Sequence, residues 1–317
     1  MLMDLLNKAS NVAMLSFVVS SMLAMGSGLL LGQIIEPLRN VLLLVLGLVA
    51  NFILMPLGAF VLAWLLRLDE PFGIGLLVLG CAAGAPFLPK LAQLAKGNLP
   101  FAVGMMVLLM VITVAYLPIV LPLLLEGVTV NPLEIAQSLV LLMLLPLGVG
   151  LLLKARFEAT AAHVKPWLDW LSNISLILLI GLISAANIDK VLQVFGTRGI
   201  LAGLLFIAFG FCVGWLLGGP GNDTKNVLAL GTAQRNIAAA LVVASQSFSD
   251  PKVVVMVIVV AIVGLVTIMP LARALGKRGV PSTAKPNPRG RCNCASQQND
   301  AADVRLWVKS RHWGRCG

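Results

Sequence analysis

Apolar stretches of about 20 residues, the length that spans a hydrocarbon core of roughly 30 Å, recur from Asn11 to Leu275 with short polar breaks between them. Nine can be drawn, at 11–32, 40–67, 72–95, 100–125, 132–154, 166–187, 195–218, 225–247 and 252–275. Each is predicted to be a helix, because lipid offers no partner to an unpaired backbone group and the stretches are too long for barrel strands. The predicted fold is therefore an all-α polytopic membrane domain over residues 1–278 with about nine transmembrane helices. Met1 to Ser10 carries Asp4 and Lys8 and leads straight into a full-length span. That is not the layout of a cleaved signal peptide, so the first span is expected to stay.

Two stretches break the pattern. The third reads Gly80-Cys-Ala-Ala-Gly-Ala-Pro-Phe-Leu-Pro-Lys90, with Pro86 and Pro89 at mid-span. Proline removes a backbone donor and clashes with the preceding turn, so this helix is predicted to be interrupted near residues 84–89. In the eighth, Gln234, Arg235 and Asn236 interrupt the apolar run Leu230-Gly-Thr232-Ala and Ile-Ala-Ala-Ala. A charge at bilayer depth costs ~3 kcal/mol or more on insertion scales and normally faces a partner or a polar cavity. Lys90 and Arg235 are accordingly candidate site residues, with snorkelling to an interface as the alternative. The breaks occupy the third place in the first four spans and the third in the last four. The eighth span lies five places after the third, an odd offset, so the halves are inverted, an arrangement in which paired interrupted helices mark a transporter's binding site. Half-helix N-termini favour negative groups, and with Lys90 and Arg235 the region is expected to prefer an anion.

Composition agrees with the span count: 59% of residues are hydrophobic, 11% are charged and the mean hydropathy is +0.98. The net charge of +10 is less informative than it looks, since the Pro-, Arg-, Asn- and Gln-rich segment 279–317 supplies seven Lys or Arg against two Asp. This segment reads as a disordered basic tail and not as a nucleic-acid-binding element. Cys292, Cys294, Cys316 and His312 within it make at most a weak metal site, and Cys81 and Cys212 read as small buried apolar side chains. Among span ends, one set of loops holds nine basic residues (Arg39, Lys96, Lys154, Arg156, Lys165, Lys225, Arg273, Lys277 and Arg278) and the other five (Lys8, Arg67, Lys190, Arg198 and Lys252). The excess predicts an outside N-terminus and a cytoplasmic C-terminus in the cell's inner (plasma) membrane. Glycines 26, 28, 47, 148, 150, 210 and 214 are expected to let helices approach closely, and Gln137, Asn173, Ser175 and Asn187 to line a cavity or bond between helices. No enzyme is expected: His163 and His312 lie outside the spans, and no nucleophile with a base appears within them.

Asn51-Phe-Ile-Leu-Met-Pro56, Leu79-Gly-Cys-Ala-Ala-Gly with Leu94-Ala-Lys-Gly-Asn98, and Gly231-Thr-Ala-Gln-Arg-Asn-Ile-Ala-Ala-Ala240 together resemble the bile acid:sodium symporter family over residues 20–275. The resemblance implies inverted repeats with two crossing interrupted helices, of which this chain has nine spans where bacterial relatives have ten. It further implies that the family's sodium ligands are largely missing. The Ser-Asn pair after the first break falls on Leu88 and Pro89, the hydroxyl ligands of the next helix on Ala102 and Met106, and the shared acidic residue on Leu230. Gln234 and a polar amide at Asn51 remain, a weak residual sodium site, because hard cations want several oxygens including charged ones. The implied function is secondary transport of a small organic anion by alternating access, with Lys90 and Arg235 standing in for sodium. The implied site is Asn51, Pro89, Lys90, Thr232, Gln234, Arg235 and Asn236, without cofactor and with sodium open; coupling is to protons, to a counter-substrate or absent. Alternatives are an arsenite- or auxin-type carrier of similar architecture, for which Cys81 would be a soft ligand, and a non-transporting anion sensor.

Overall fold

The computed structural model describes residues 2–29, 40–124, 131–186 and 198–278. Arg39, Asn187, Lys190 and the tail 279–317, with its cysteines and His312, lie outside the described residues. Helices are the only regular elements among the described residues: α1 (Leu2–Gly28), α2 (Val41–Leu65), α3 (Glu70–Cys81), α4 (Leu88–Leu94), α5 (Leu99–Leu124), α6 (Pro132–Arg156), α7 (Glu158–Ala186), α8 (Gly199–Leu217), α9 (Asn222–Ala233), α10 (Ile237–Ser247) and α11 (Pro251–Arg278). Eight spans are long and apolar enough to cross a membrane, α9 and α10 counting together as one. Helix α3 is a shorter apolar helix, followed by α4 after a break, and the fold is all-α and polytopic as predicted.

Several helix starts follow from local chemistry. Asparagines at 40, 98 and 131 precede α2, α5 and α6, and each side-chain oxygen accepts from a backbone N–H of the first turn, Leu43, Phe101 and Leu133 respectively. An N-cap of this kind satisfies a donor that has no intrahelical partner. The largest departure from the predicted boundaries is α7, which starts at Glu158 and not at 166. Its first turns are too polar for an apolar window to register. The i,i+4 pair Lys165–Asp169 lies in them at 2.6 Å, and Lys154 reaches Glu158 at 2.8 Å from the end of α6.

Helices α1, α6 and α7 pack together as a panel. The approach of α1 to α6 is set by glycine: a Cβ on Gly26 would stand 2.3 Å from the Leu147 carbonyl oxygen, and one on Gly150 2.5 Å from that of Leu23. Gly148, by contrast, has open space around it. Ser175 of α7 donates to Ser16 of α1 at 3.0 Å, tying the panel internally, while Gln137 and Asn173 are exposed. The other helices surround the two breaks, and the side chains there, Met55, Leu76, Leu79, Leu88, Leu91, Met106 and Met110 among them, are fully buried. Outward residues such as Leu42, Trp64, Ile119, Ile177 and Leu216 are exposed and apolar, as a lipid-facing surface requires.

The two sets of helix ends are stitched separately. Lys252, in the first turn of α11, lies 3.9 Å from Asp69, before α3. At the opposite ends Asn98 N–H donates to the Asp223 carbonyl at 3.5 Å, and Asn226 Nδ2 to that of Ala95 at 3.5 Å. Polar contact between panel and the rest is concentrated on α10, where Ser138 of α6 donates to Gln246 Oε1 and Ser245 donates to the sulfur of Met14 in α1 at 3.1 Å.

Candidate transport site at the crossing of two broken helices

Residues 82–87 form the first break. Helix α3 ends as the Ala82 N–H bonds back to Val78 and Leu79, and α4 resumes at Leu88 with Pro89 in its first turn, where a missing donor is harmless. Gly84 has φ +78°, and a Cβ there would meet the backbone nitrogen of Met110 at 2.3 Å, so only glycine lets the break lie against α5. From α5, Thr113 Oγ1 accepts the Ala83 N–H at 3.0 Å and donates to the Ala83 carbonyl at 3.1 Å. One hydroxyl thus satisfies both polar groups of an exposed-backbone residue buried in an apolar setting.

The second break is shorter. Helix α9 stops at Ala233, Gln234 turns extended with ψ 117°, and Asn236 caps α10 by accepting from Ala239 N–H at 3.1 Å. Asn236 also staples the two breaks: its backbone N–H donates to Ala82 at 2.9 Å and its Nδ2 to the Gly84 carbonyl at 3.1 Å. Leu88 of α4 lies against Gly231 of α9, and α3 lies beside α10, so the interrupted helices cross at their breaks.

Arg235 sits in this crossing, 4% exposed. Its Nε donates to Leu79 O at 3.0 Å; Nη1 to Asn51 Oδ1 at 2.6 Å and Thr232 O at 3.4 Å; Nη2 to Gly80 O at 2.7 Å and Asn51 O at 3.4 Å. A guanidinium carries five N–H donors, and here each meets an oxygen. No carboxylate pairs with it among the described residues. The compensation comes from backbone: Leu79, Gly80 and Thr232 are last-turn carbonyls of α3 and α9, and two helix C-termini of roughly −0.5 charge each approximately balance one positive charge.

The Asn51 carbonyl is free for a reason that lies in α2. Residues Ala50–Leu54 form a π-turn in which the Met55 N–H bonds back to Ala50. Pro56 has no N–H, so the carbonyls of Asn51 and Phe52 lose their helical donors. Arg235 takes the first, and Tyr116 Oη of α5 donates to the second at 2.5 Å. Asn51 Nδ2 donates to Gly47 O at 3.0 Å and to Thr232 Oγ1 at 3.3 Å, which fixes the amide.

Of the seven predicted site residues, the structure joins Asn51, Thr232, Arg235 and Asn236 in one network. Lys90 stands apart: it is exposed on α4, and its ammonium lies over the Phe87 ring, 5.5 Å from Nζ to centroid. Pro89 is partly buried beside it. The expectation that Arg235 offers donors to an anion is corrected, because its donors are all occupied by the protein. Gln234 is buried, yet its side chain has no hydrogen bond among the described residues; Oε1 faces Gly264 of α11 beside a small cavity of about 10 Å³ lined by Ile207, Val260 and Ile268. Asn51 and Gln234 therefore do not point at one another, and the oxygen of Asn51 is engaged by the guanidinium. Sequence reading missed Thr113, Tyr116 and the π-turn; Pro56 after a polar residue in an apolar span was the available signal for the last.

These features define a polytopic helical membrane protein built round paired discontinuous helices. The chain belongs to the sodium bile acid symporter family, whose model matches residues 14–194 and so includes the first break but stops short of the second. Among curated relatives, the probable sodium/metabolite cotransporter BASS1, chloroplastic, of Arabidopsis thaliana is 26% identical over 73% of this chain and 58% of its own length. The uncharacterized sodium-dependent transporter YocS of Bacillus subtilis is 28% identical over 54% of each chain. The probable sodium/metabolite cotransporter BASS2, chloroplastic, of Oryza sativa subsp. japonica is 26% identical over 74% of this chain and 57% of its own. This chain spans little more than half the length of the relatives it matches.

Proposed function

We propose that this protein is a secondary transporter that carries a small organic anion by alternating access without using sodium as the coupling ion at the crossing. The relatives are named for sodium and metabolite cotransport, which supports the transport class. The observation that carries the departure from sodium is the guanidinium of Arg235 held by five protein oxygens between the broken helices. A cation is already present there, tethered to the chain. Leu230, buried one turn before the break, offers no carboxylate to a second one.

The anion preference rests on Lys90. It is exposed on the half-helix that leaves the crossing, and no acidic partner neutralises it among the described residues. An unpaired cation beside a helix break is suited to a carboxylate or sulfonate. Alternating access is supported by the polar bonds between the panel and α10, two side-chain contacts among the described residues that a small rocking motion would open. The distribution of Lys and Arg supports an orientation with the C-terminus in the cytoplasm.

An uptake screen of carboxylates and sulfonates in proteoliposomes tests this reading. One or more should accumulate in wild type and at least tenfold less in Lys90→Met. Normal uptake by the methionine variant would remove Lys90 from the mechanism, and uptake of none of these solutes would reject the anion class.

A further inference from the structure

The Asn51 amide and the backbone beside the other acceptors of Arg235 are held by bonds in which Arg235 takes no part. Asn51 is fixed by Gly47 and Thr232, the Phe52 carbonyl next to it by Tyr116, Ala82 by Asn236, and Ala83 by Thr113. The breaks therefore keep their course, and the carbonyls of Leu79, Gly80 and Thr232 keep their aim, whether or not a guanidinium lies between them. All five acceptors are neutral oxygens, and the negative potential there comes from two helix C-termini with no carboxylate. Arg235 and Gln234 also border a small cavity of about 10 Å³, room for about one water.

We propose that these five oxygens form a cation-binding cage in its own right, one that accepts a free guanidinium ion when the tethered one is removed. The cage extends the reading of Arg235 as the fixed charge of a transporter, and it is detectable by binding alone. Removing the side chain beyond Cβ leaves the volume of the guanidinium and its stem, lined by acceptors that then have no donor. A buried acceptor without a partner is costly, so the vacated variant should be destabilised and should recover when a planar cation with matching donors enters. Mass action sets the size: a ligand that binds only the folded state shifts the folding equilibrium about 100-fold at 100 times its dissociation constant.

The test uses the full chain in detergent, comparing wild type, Arg235→Ala and the double variant Arg235→Ala with Asn51→Leu. Thermal unfolding is followed against millimolar guanidinium chloride, with choline chloride holding ionic strength constant. Expected is a melting temperature below wild type for Arg235→Ala that rises saturably with guanidinium, a flat response in wild type, and a much weaker one in the double variant. An equal response in wild type and Arg235→Ala, or none in either, would overturn the cage. If Arg235→Ala is not recovered from membranes, Arg235→Lys decides: recovery of the lysine variant alone supports a site that needs a cation, and loss of both contradicts it. Because the readout is binding, a failed cage and a failed assignment of anion transport give different results.

Discussion

Replacing Asn51 by leucine would leave one Arg235 N–H without its side-chain acceptor, while the residue-51 backbone carbonyl stays in place, and would free the hydroxyl of Thr232. Unfolding in micelles should show a loss of roughly 3 kcal/mol, since the stranded donor is charged and buried. Tyr116→Phe removes only the donor to the Phe52 carbonyl and should cost about 1 kcal/mol in the same assay. If Asn51→Leu proved no worse than Tyr116→Phe, the guanidinium would not be relying on the amide. At this scale the sequence disclosed the polar residues of each break but could not rank them. Lys90 and Arg235 look alike in one dimension, each a basic residue in an interrupted apolar run. Which is saturated and which is free depends on carbonyls 155 and 184 residues away from Arg235, contacts that no local pattern encodes.

The broken elements are held open by a small number of local decisions. Gly84→Ala places a methyl against the backbone of α5 at a left-handed position, so it should abolish uptake or prevent recovery of folded protein, whereas Gly148→Ala should change neither. Asn236→Ala removes the α10 cap and one bond between the breaks, and a stability loss of about 1–2 kcal/mol is expected by denaturation. The location of the breaks was legible because Pro86, Pro89 and the Gln-Arg-Asn run are chemically out of place in apolar helices. The π-turn of α2 was not, since its visible sign, Pro56, is compatible with an ordinary kink. Likewise the polar first turns of α7 fell outside any apolar window, though the i,i+4 acid–base spacing of Lys165 and Asp169 marked them as helical.

For the whole molecule, the all-α polytopic fold could be read from span lengths, because a bilayer imposes a length on every element. The grouping of α1, α6 and α7 into a panel could not, since helix pairing in lipid depends on surface shape and not on a hydrophobic face. That grouping makes a prediction of its own. A Ser138→Cys, Gln246→Cys pair, in a background with the native cysteines replaced, should cross-link on oxidation, stop uptake, and regain it on reduction. Unimpeded uptake in the cross-linked protein would mean that the panel and α10 do not part during transport.

The account depends most on Arg235 taking the place of an exchangeable ion. Its most direct test is initial uptake of an accepted organic anion into proteoliposomes with an inward sodium gradient and with choline in its place. Equal rates, within about twofold, are predicted by a crossing that carries its own cation; uptake that collapses without the sodium gradient would contradict it.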